Sequence, residues 1–150
     1  VDTSVHVGLI DSHDTWHSSS EMIVRALASQ HIELLYPDCV LNETISVLAR
    51  RCHEQGRSDA FAGLLDALES HAPSASITWI SKHTEALYAD TFRMVRCAEG
   101  ALNFHDALIA AYCSKVGINY IASFDRDFDL VAQIHRLSTP EDVLATTADE

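Results

Sequence analysis

Glycine and proline are scarce in this chain, five and three among 150 residues, and low-complexity stretches are missing altogether. Both absences exclude a disordered or linker-dominated protein and leave one domain long enough to bury a sizeable core. No apolar run approaches the roughly 20 residues of a membrane span, and no secretory signal is read at the amino end. The four cysteines (Cys39, Cys52, Cys97, Cys113) lie far apart, with no Cys-x-x-Cys and no Cys/His spacing suited to zinc. They are expected to be reduced, buried helix residues of a cytoplasmic protein. Cations are also short: ten Lys+Arg face 22 Asp+Glu, a net charge of −12. Such a balance works against general binding of a phosphate backbone, which draws its affinity from basic side chains. It suits a basic partner, or carboxylates gathered around a cation.

What is present is a regular alternation. Residues 4–11 read as a short helix, His17–Ser29 as a second, and Glu33–Tyr36 as a short strand ended by Pro37. Asp38–Gln55 repeats apolar residues at helical spacing and stops at Gly56. Ser58 and Asp59 are expected to cap a helix that turns Phe61, Leu64, Leu65 and Leu68 inward. Ile77–Ile80 reads as a buried strand, Lys82–Cys97 as a long helix, and Asn103 as the cap of an apolar helix ending at Gly117. Asn119–Ala122 is a strand, Asp125–Val131 a helical turn and Ile134–Leu137 a last strand before a polar tail. Short strands alternating with helices imply parallel strands covered by helices on both faces. Val1 reads as the end of a first strand whose start would lie upstream.

Four acidic residues stand where the chain enters or leaves regular structure: Asp2, Glu43, Asp106 and Asp125. Ligands of parallel α/β sheets bind at the carboxyl ends of the strands, where these four can converge. Carboxylates brought together repel one another unless a divalent cation with oxygen ligands compensates, which points to Mg²⁺ or Mn²⁺ acting on phosphates.

The segments Val1-Asp-Thr-Ser-Val5, Pro37 with Asn42-Glu43, Asp106-Ala-Leu-Ile-Ala-Ala111 and Ser123-Phe-Asp-Arg-Asp-Phe128 resemble, in order and spacing, the motifs of PIN-domain ribonucleases. They are most similar to the VapC-type toxins of toxin–antitoxin pairs. The resemblance spans nearly the whole chain. It implies a three-layer α/β/α fold with a short, mostly parallel central sheet, and a Mg²⁺- or Mn²⁺-dependent endoribonuclease. By the same resemblance Asp2, Glu43, Asp106 and Asp125 would hold the metal, Ser4 and Ser123 would orient those carboxylates, and Asp127 would be a more peripheral acid. It further implies a homodimer and a basic, VapB-like antitoxin; the alternatives are a PIN-like nuclease of RNA processing or quality control without an antitoxin, and a catalytically silent protein-binding module of the same fold.

Local alternatives stand beside these readings. Asp11 competes with Asp2 as the first ligand if Val5–Ile10 is a strand. Asn103 and Asp106 also suit a capping arrangement. Asp125-x-Asp127-x-Asp129 imitates an EF-hand start, but Leu130 and Arg136 occupy the positions that need Gly and Glu, which rejects it. Asp11, His13, Asp14 and His17 form a polar loop in which capping is the expectation. His105 is a candidate for the rim of the site. Arg50, Arg51 and Arg57, with Arg93 and Arg96 on the long helix, are the candidates for phosphate contacts.

Overall fold

The computed structural model describes residues 1–146 and contains seven α-helices and four short strands among them. Helix α1 (Thr3–Ile10) begins directly after Asp2, whose carboxylate accepts a hydrogen bond from the Ser4 N–H and caps the helix. Helix α2 (His17–Ser29) folds back on α1. That approach needs Gly8, because a Cβ there would fall 2.2 Å from Ser20 Oγ. Strand β1 (Tyr36–Pro37) runs into α3 (Asp38–Glu54), and a 3₁₀ turn at Ser58–Ala60 leads into α4 (Phe61–His71). Strand β2 (Ile77–Thr78) is followed by α5 (Thr84–Cys97) and α6 (Phe104–Val116). Asn103 caps α6 by accepting from the Asp106 N–H, and Gly117 ends it at φ 76°, a left-handed conformation that glycine adopts freely. Strands β3 (Tyr120–Ala122) and β4 (His135–Leu137) precede α7 (Pro140–Thr146).

The strands form two parallel pairs. Tyr36 faces Ile77 in the first, and Tyr120, Ile121 and Ala122 face His135, Arg136 and Leu137 in the second. The first two residues run between them: the Val1 amino group donates to the Leu35 carbonyl at 3.3 Å, and the Asp2 N–H to the Ala122 carbonyl at 2.9 Å. Successive residues of β3 serve opposite faces, as the two-residue period of a strand requires. Ile121 packs among Val40, Ala107, Ile109, Ala110 and Phe128; Ala122 packs with Val5, Ile23, Leu27 and Val143. Helices therefore cover both faces, the α/β layering expected from the sequence. Helix α6 is apolar all round because it is buried twice: Ala107, Ile109 and Ala110 meet the main core while Leu108 and Ala111 meet Ile80 and Leu87.

Several elements differ from the sequence reading. The strand expected at Glu33–Tyr36 is displaced to Tyr36–Pro37, because only Tyr36 and Pro37 find strand partners; Leu35 meets a single donor, Val1. The strand expected at Ile77–Ile80 stops at Thr78. Ile80 and Ser81 turn their N–H groups to the Asp38 carboxylate, and Trp79 is left exposed. Ser58 and Asp59 make no capping hydrogen bond, and only Leu68 of the four apolar residues expected inward on α4 is fully buried. The polar tail begins with a helix, α7, whose Val143 is buried and whose Asp142 accepts from Ser138 and Thr139 N–H groups. Cys97 is exposed at the end of α5, whereas Cys39, Cys52 and Cys113 are buried.

Candidate metal centre

A pocket of about 230 Å³ opens beside the carboxyl ends of the strands and the first turns of α1 and α6. Asp2, Glu43, Asp106 and Asp125 all line it, together with Ser4, Asp14, Trp16, Arg50, Arg51 and Asn103. Each acid arrives from a different element. Asp2 lies where residues 1–2 end and α1 begins. Glu43 is on the second turn of α3. Asp106 is in the first turn of α6, placed by the Asn103 cap, and Asp125 caps the 3₁₀ turn Arg126–Leu130. Asp106, Asp125 and Asp127 each offer a carboxylate oxygen within 4.8 Å of the others'. Asp127, read from the sequence as peripheral, therefore reaches as close as its neighbours.

Hydroxyl groups hold the outer acids. Asp2 Oδ2 accepts from Ser4 Oγ and from Ser123 Oγ, both at 2.7 Å. Ser123 Oγ in turn accepts from the Asp125 N–H at 2.9 Å, tying the end of β3 to the turn that carries two of the acids. Glu43 Oε2 accepts from Thr3 Oγ1 at 3.0 Å. Thr3 went unnoticed in the sequence, where nothing marks it beyond its place between Asp2 and Ser4.

Asp106 carries the cost of the cluster. It is 5 % exposed, and its Oδ2 is buried without a hydrogen-bond partner. Burial, followed by the negative charges of Asp2, Asp125, Glu43 and Asp127, pushes its carboxyl up to about 7. Its environment favours either a proton or a cation at that oxygen. The donor set is all oxygen and strongly anionic, with no imidazole or thiolate among the clustered ligands, which fits a hard divalent cation such as Mg²⁺ or Mn²⁺.

Other residues singled out from the sequence lie elsewhere. Asp11 is buried outside the pocket and bound by the Arg57 guanidinium through two hydrogen bonds of 3.1 and 2.6 Å, which hold its carboxyl below the usual range. His13 meets Arg57, and His17 Nδ1 meets the Gly8 carbonyl, so the polar loop is organised by arginine and backbone contacts. Arg51 lines the pocket with its guanidinium on Asp14; Arg50 lines it exposed and without an ion pair among the described residues. Arg93 pairs with Asp90, and Arg96 lies over the Phe92 ring, both away from the acids. His105 lines an adjoining depression that shares Glu43 with the pocket.

Trp16 was passed over in the sequence; a lone aromatic inside a polar loop was its only signal. No curated protein and no solved structure matches the chain. Its residues 1–134, which include every acid of the cluster, match the PIN domain family, and the chain belongs to that family.

Proposed function

We propose that this protein is a Mg²⁺- or Mn²⁺-dependent endoribonuclease acting as the toxin of a VapBC-type toxin–antitoxin pair. PIN domains are commonly metal-dependent nucleases, and a cluster of three acidic residues is present here. The observation that carries the reading is the Asp106 carboxylate, whose Oδ2 is buried without a partner among the described residues and which offers an oxygen within 4.8 Å of those of Asp125 and Asp127.

Asp106, Asp125 and Asp127 would hold the cation, with Asp2 and Glu43 completing its anionic surroundings. When bound, a divalent cation supplies Lewis acidity: it makes water a better nucleophile at neutral pH and offsets the charge of the phosphodiester. The remaining work falls to this chain's own groups. Ser4 and Ser123 fix the Asp2 carboxylate, and Thr3 fixes Glu43, so the cluster does not have to reorganise when substrate arrives. The raised carboxyl of Asp106 would bind a proton more readily than an ordinary aspartate in the metal-free protein, and a cation bound at the cluster would favour its ionised form. Arg50, exposed at the pocket wall, is available to a phosphate.

A net charge of −12 supports a basic antitoxin as partner, since complementary charge steers association. Pairing of two copies belongs to the same reading. The test is incubation of the purified protein with a mixed tRNA, rRNA and mRNA pool in Mn²⁺ or in EDTA, beside Asp2→Asn and Asp106→Asn. Cleavage in Mn²⁺ that disappears in EDTA and in both variants is expected. Cleavage that survives EDTA or Asp106→Asn overturns the reading. Mass spectrometry of the protein pulled from its host should return a small basic companion; its absence would leave a nuclease without an antitoxin.

A further inference from the structure

Trp16 is the one large aromatic side chain that lines the acidic pocket. It is half exposed, at 49 % of its surface, although it stacks on Phe124 with ring centroids 4.7 Å apart and planes only 11° from parallel. One ring face is therefore satisfied by Phe124, and much of the remaining surface is offered to whatever enters the pocket.

The aromatic pair shares its frame with the acids. Ser4 Oγ accepts from the Phe124 N–H at 3.0 Å while donating to Asp2 Oδ2. Phe124 lies between Ser123, which donates to Asp2, and Asp125, which belongs to the cluster. On the other side, the backbone N–H of Trp16 donates to Asp14 Oδ1 at 2.7 Å, and Asp14 is the partner of Arg51. The pocket wall thus reads, in sequence of chemistry, aromatic ring, arginine, carboxylates. A nucleotide needs those three things: a flat surface for its base, a cation for its phosphate and a metal-holding site for the bond to be cut.

We infer that Trp16, backed by Phe124, is a stacking platform for one base of the bound RNA beside the scissile phosphate. The inference rests on the nuclease reading. A base inside a duplex has both faces covered by its neighbours and cannot lie on an indole ring, so paired RNA is refused at this wall. Stacking is tolerant of sequence because every base has a π-face, so Trp16 holds a base in place and Arg50 supplies charge. Trp16 acts here as a positioning residue that touches the substrate base and not the reacting atoms.

Trp16 and Trp79 are the only tryptophans in the chain, and Trp79 does not line the pocket. In the Trp79→Phe/Asp106→Asn protein, with Mg²⁺ present, fluorescence then reports Trp16 alone without cleavage. A single-stranded RNA 12-mer is expected to quench it, and the same sequence annealed to its complement is not. Trp16→Ala in the Asp106→Asn background should weaken single-strand binding by about 10-fold, measured by anisotropy of a labelled 12-mer, with Trp16→Phe retaining most of it. Thermal melting of both variants verifies the fold, and the quenching measurement, which keeps Trp16 in place, carries the test if the Ala variant is unstable. Wild-type cleavage measured alongside separates the two readings. Metal-dependent cleavage with equal affinity for single and double strands, or with no quenching, removes the platform and leaves the nuclease. No cleavage and no binding of either strand form removes both.

Discussion

Asp11 and Asp14, in the bend between α1 and α2, and Asp106, Asp125 and Asp127, at the strand ends, are two groups of carboxylates in one fold, each with a buried member. The first group is answered by arginine: Arg57 binds Asp11 with two hydrogen bonds, and Arg51 binds Asp14. The second group is answered by hydroxyls at its margins and, at Asp106, by nothing. The consequence is opposite titration. Asp11 is held below the ordinary carboxylate range by the guanidinium, whereas Asp106 is driven from 3.8 to about 7 by burial and by its acidic neighbours. Carboxylates that a fold has already neutralised are fastenings. Those it leaves in mutual repulsion, at a pocket, are where an external cation has most to gain.

The comparison breaks first at Asp106. Asp106→Asn should lower Mn²⁺-dependent RNA cleavage by more than about 100-fold, because a ligand is a larger loss than an outer-shell contact. It should also stabilise the metal-free protein at high pH. The raised carboxyl of Asp106 costs nothing below pH 4, where it is protonated folded or unfolded, and its cost grows as pH rises from about 4 to about 7. Urea unfolding in EDTA should show the wild type losing on the order of 2–4 kcal/mol more than the variant between pH 4 and pH 8. Saturating Mn²⁺ at pH 8 should remove that difference. A wild type and variant with parallel pH profiles would contradict the strained cluster.

Arg57→Ala addresses the other group. It strips the buried Asp11 of its partner, so a clear drop in melting temperature is expected while cleavage per folded molecule stays unchanged. The Asp11–Arg57 contribution is present above the ordinary Asp range and lost as pH falls through the lowered carboxyl of Asp11, so wild type and variant should converge only in strong acid. A selective loss of activity at full stability would move Asp11 into the site.

Thr3→Val probes the margin of the cluster. Removing the hydroxyl that holds Glu43 Oε2 should weaken Mn²⁺ affinity by about 10-fold, read by calorimetry, with little change in melting temperature. The smallest effect belongs to Arg93→Ala, whose exposed pairing with Asp90 should leave both melting temperature and cleavage where they were. A marked loss of RNA binding there would extend the substrate path to α5.

Much of the fold was legible because its helices declare themselves locally. The caps at Asn103 and the stop at Gly117 bracket α6 in the sequence as they do in the structure, and His17–Ser29 is the same segment in both. The strands were less legible. With two or three residues each, they depend on which neighbour supplies a partner, so the expected strand at Glu33–Tyr36 slid to Tyr36–Pro37 and that at Ile77–Ile80 shortened to two residues. At the candidate site, Asp2, Glu43, Asp106 and Asp125 could be picked out because motifs of acids at element boundaries are visible in one dimension. Thr3 and Trp16 could not, since their parts depend on Glu43 and Phe124, which are far away in sequence.

The amino-acid sequence by itself determined the alternation of helices and short strands, the apolar character of α6, the excess of negative charge and the positions of the acids relative to element ends. These follow from local spacing and from side-chain chemistry, which need no long-range information. Only the tertiary structure decided that Asp11 is fastened by Arg57 while Asp2 joins the pocket, that Asp127 reaches Asp106 and Asp125, and that Asp106 keeps an unpartnered oxygen. The physical reason is that a carboxylate's state is set by what lies close to it, and those neighbours come from segments far away in sequence, from Asp125 to Asp2 in the case of Asp106, brought there by the packing of helices on the two faces of the strands.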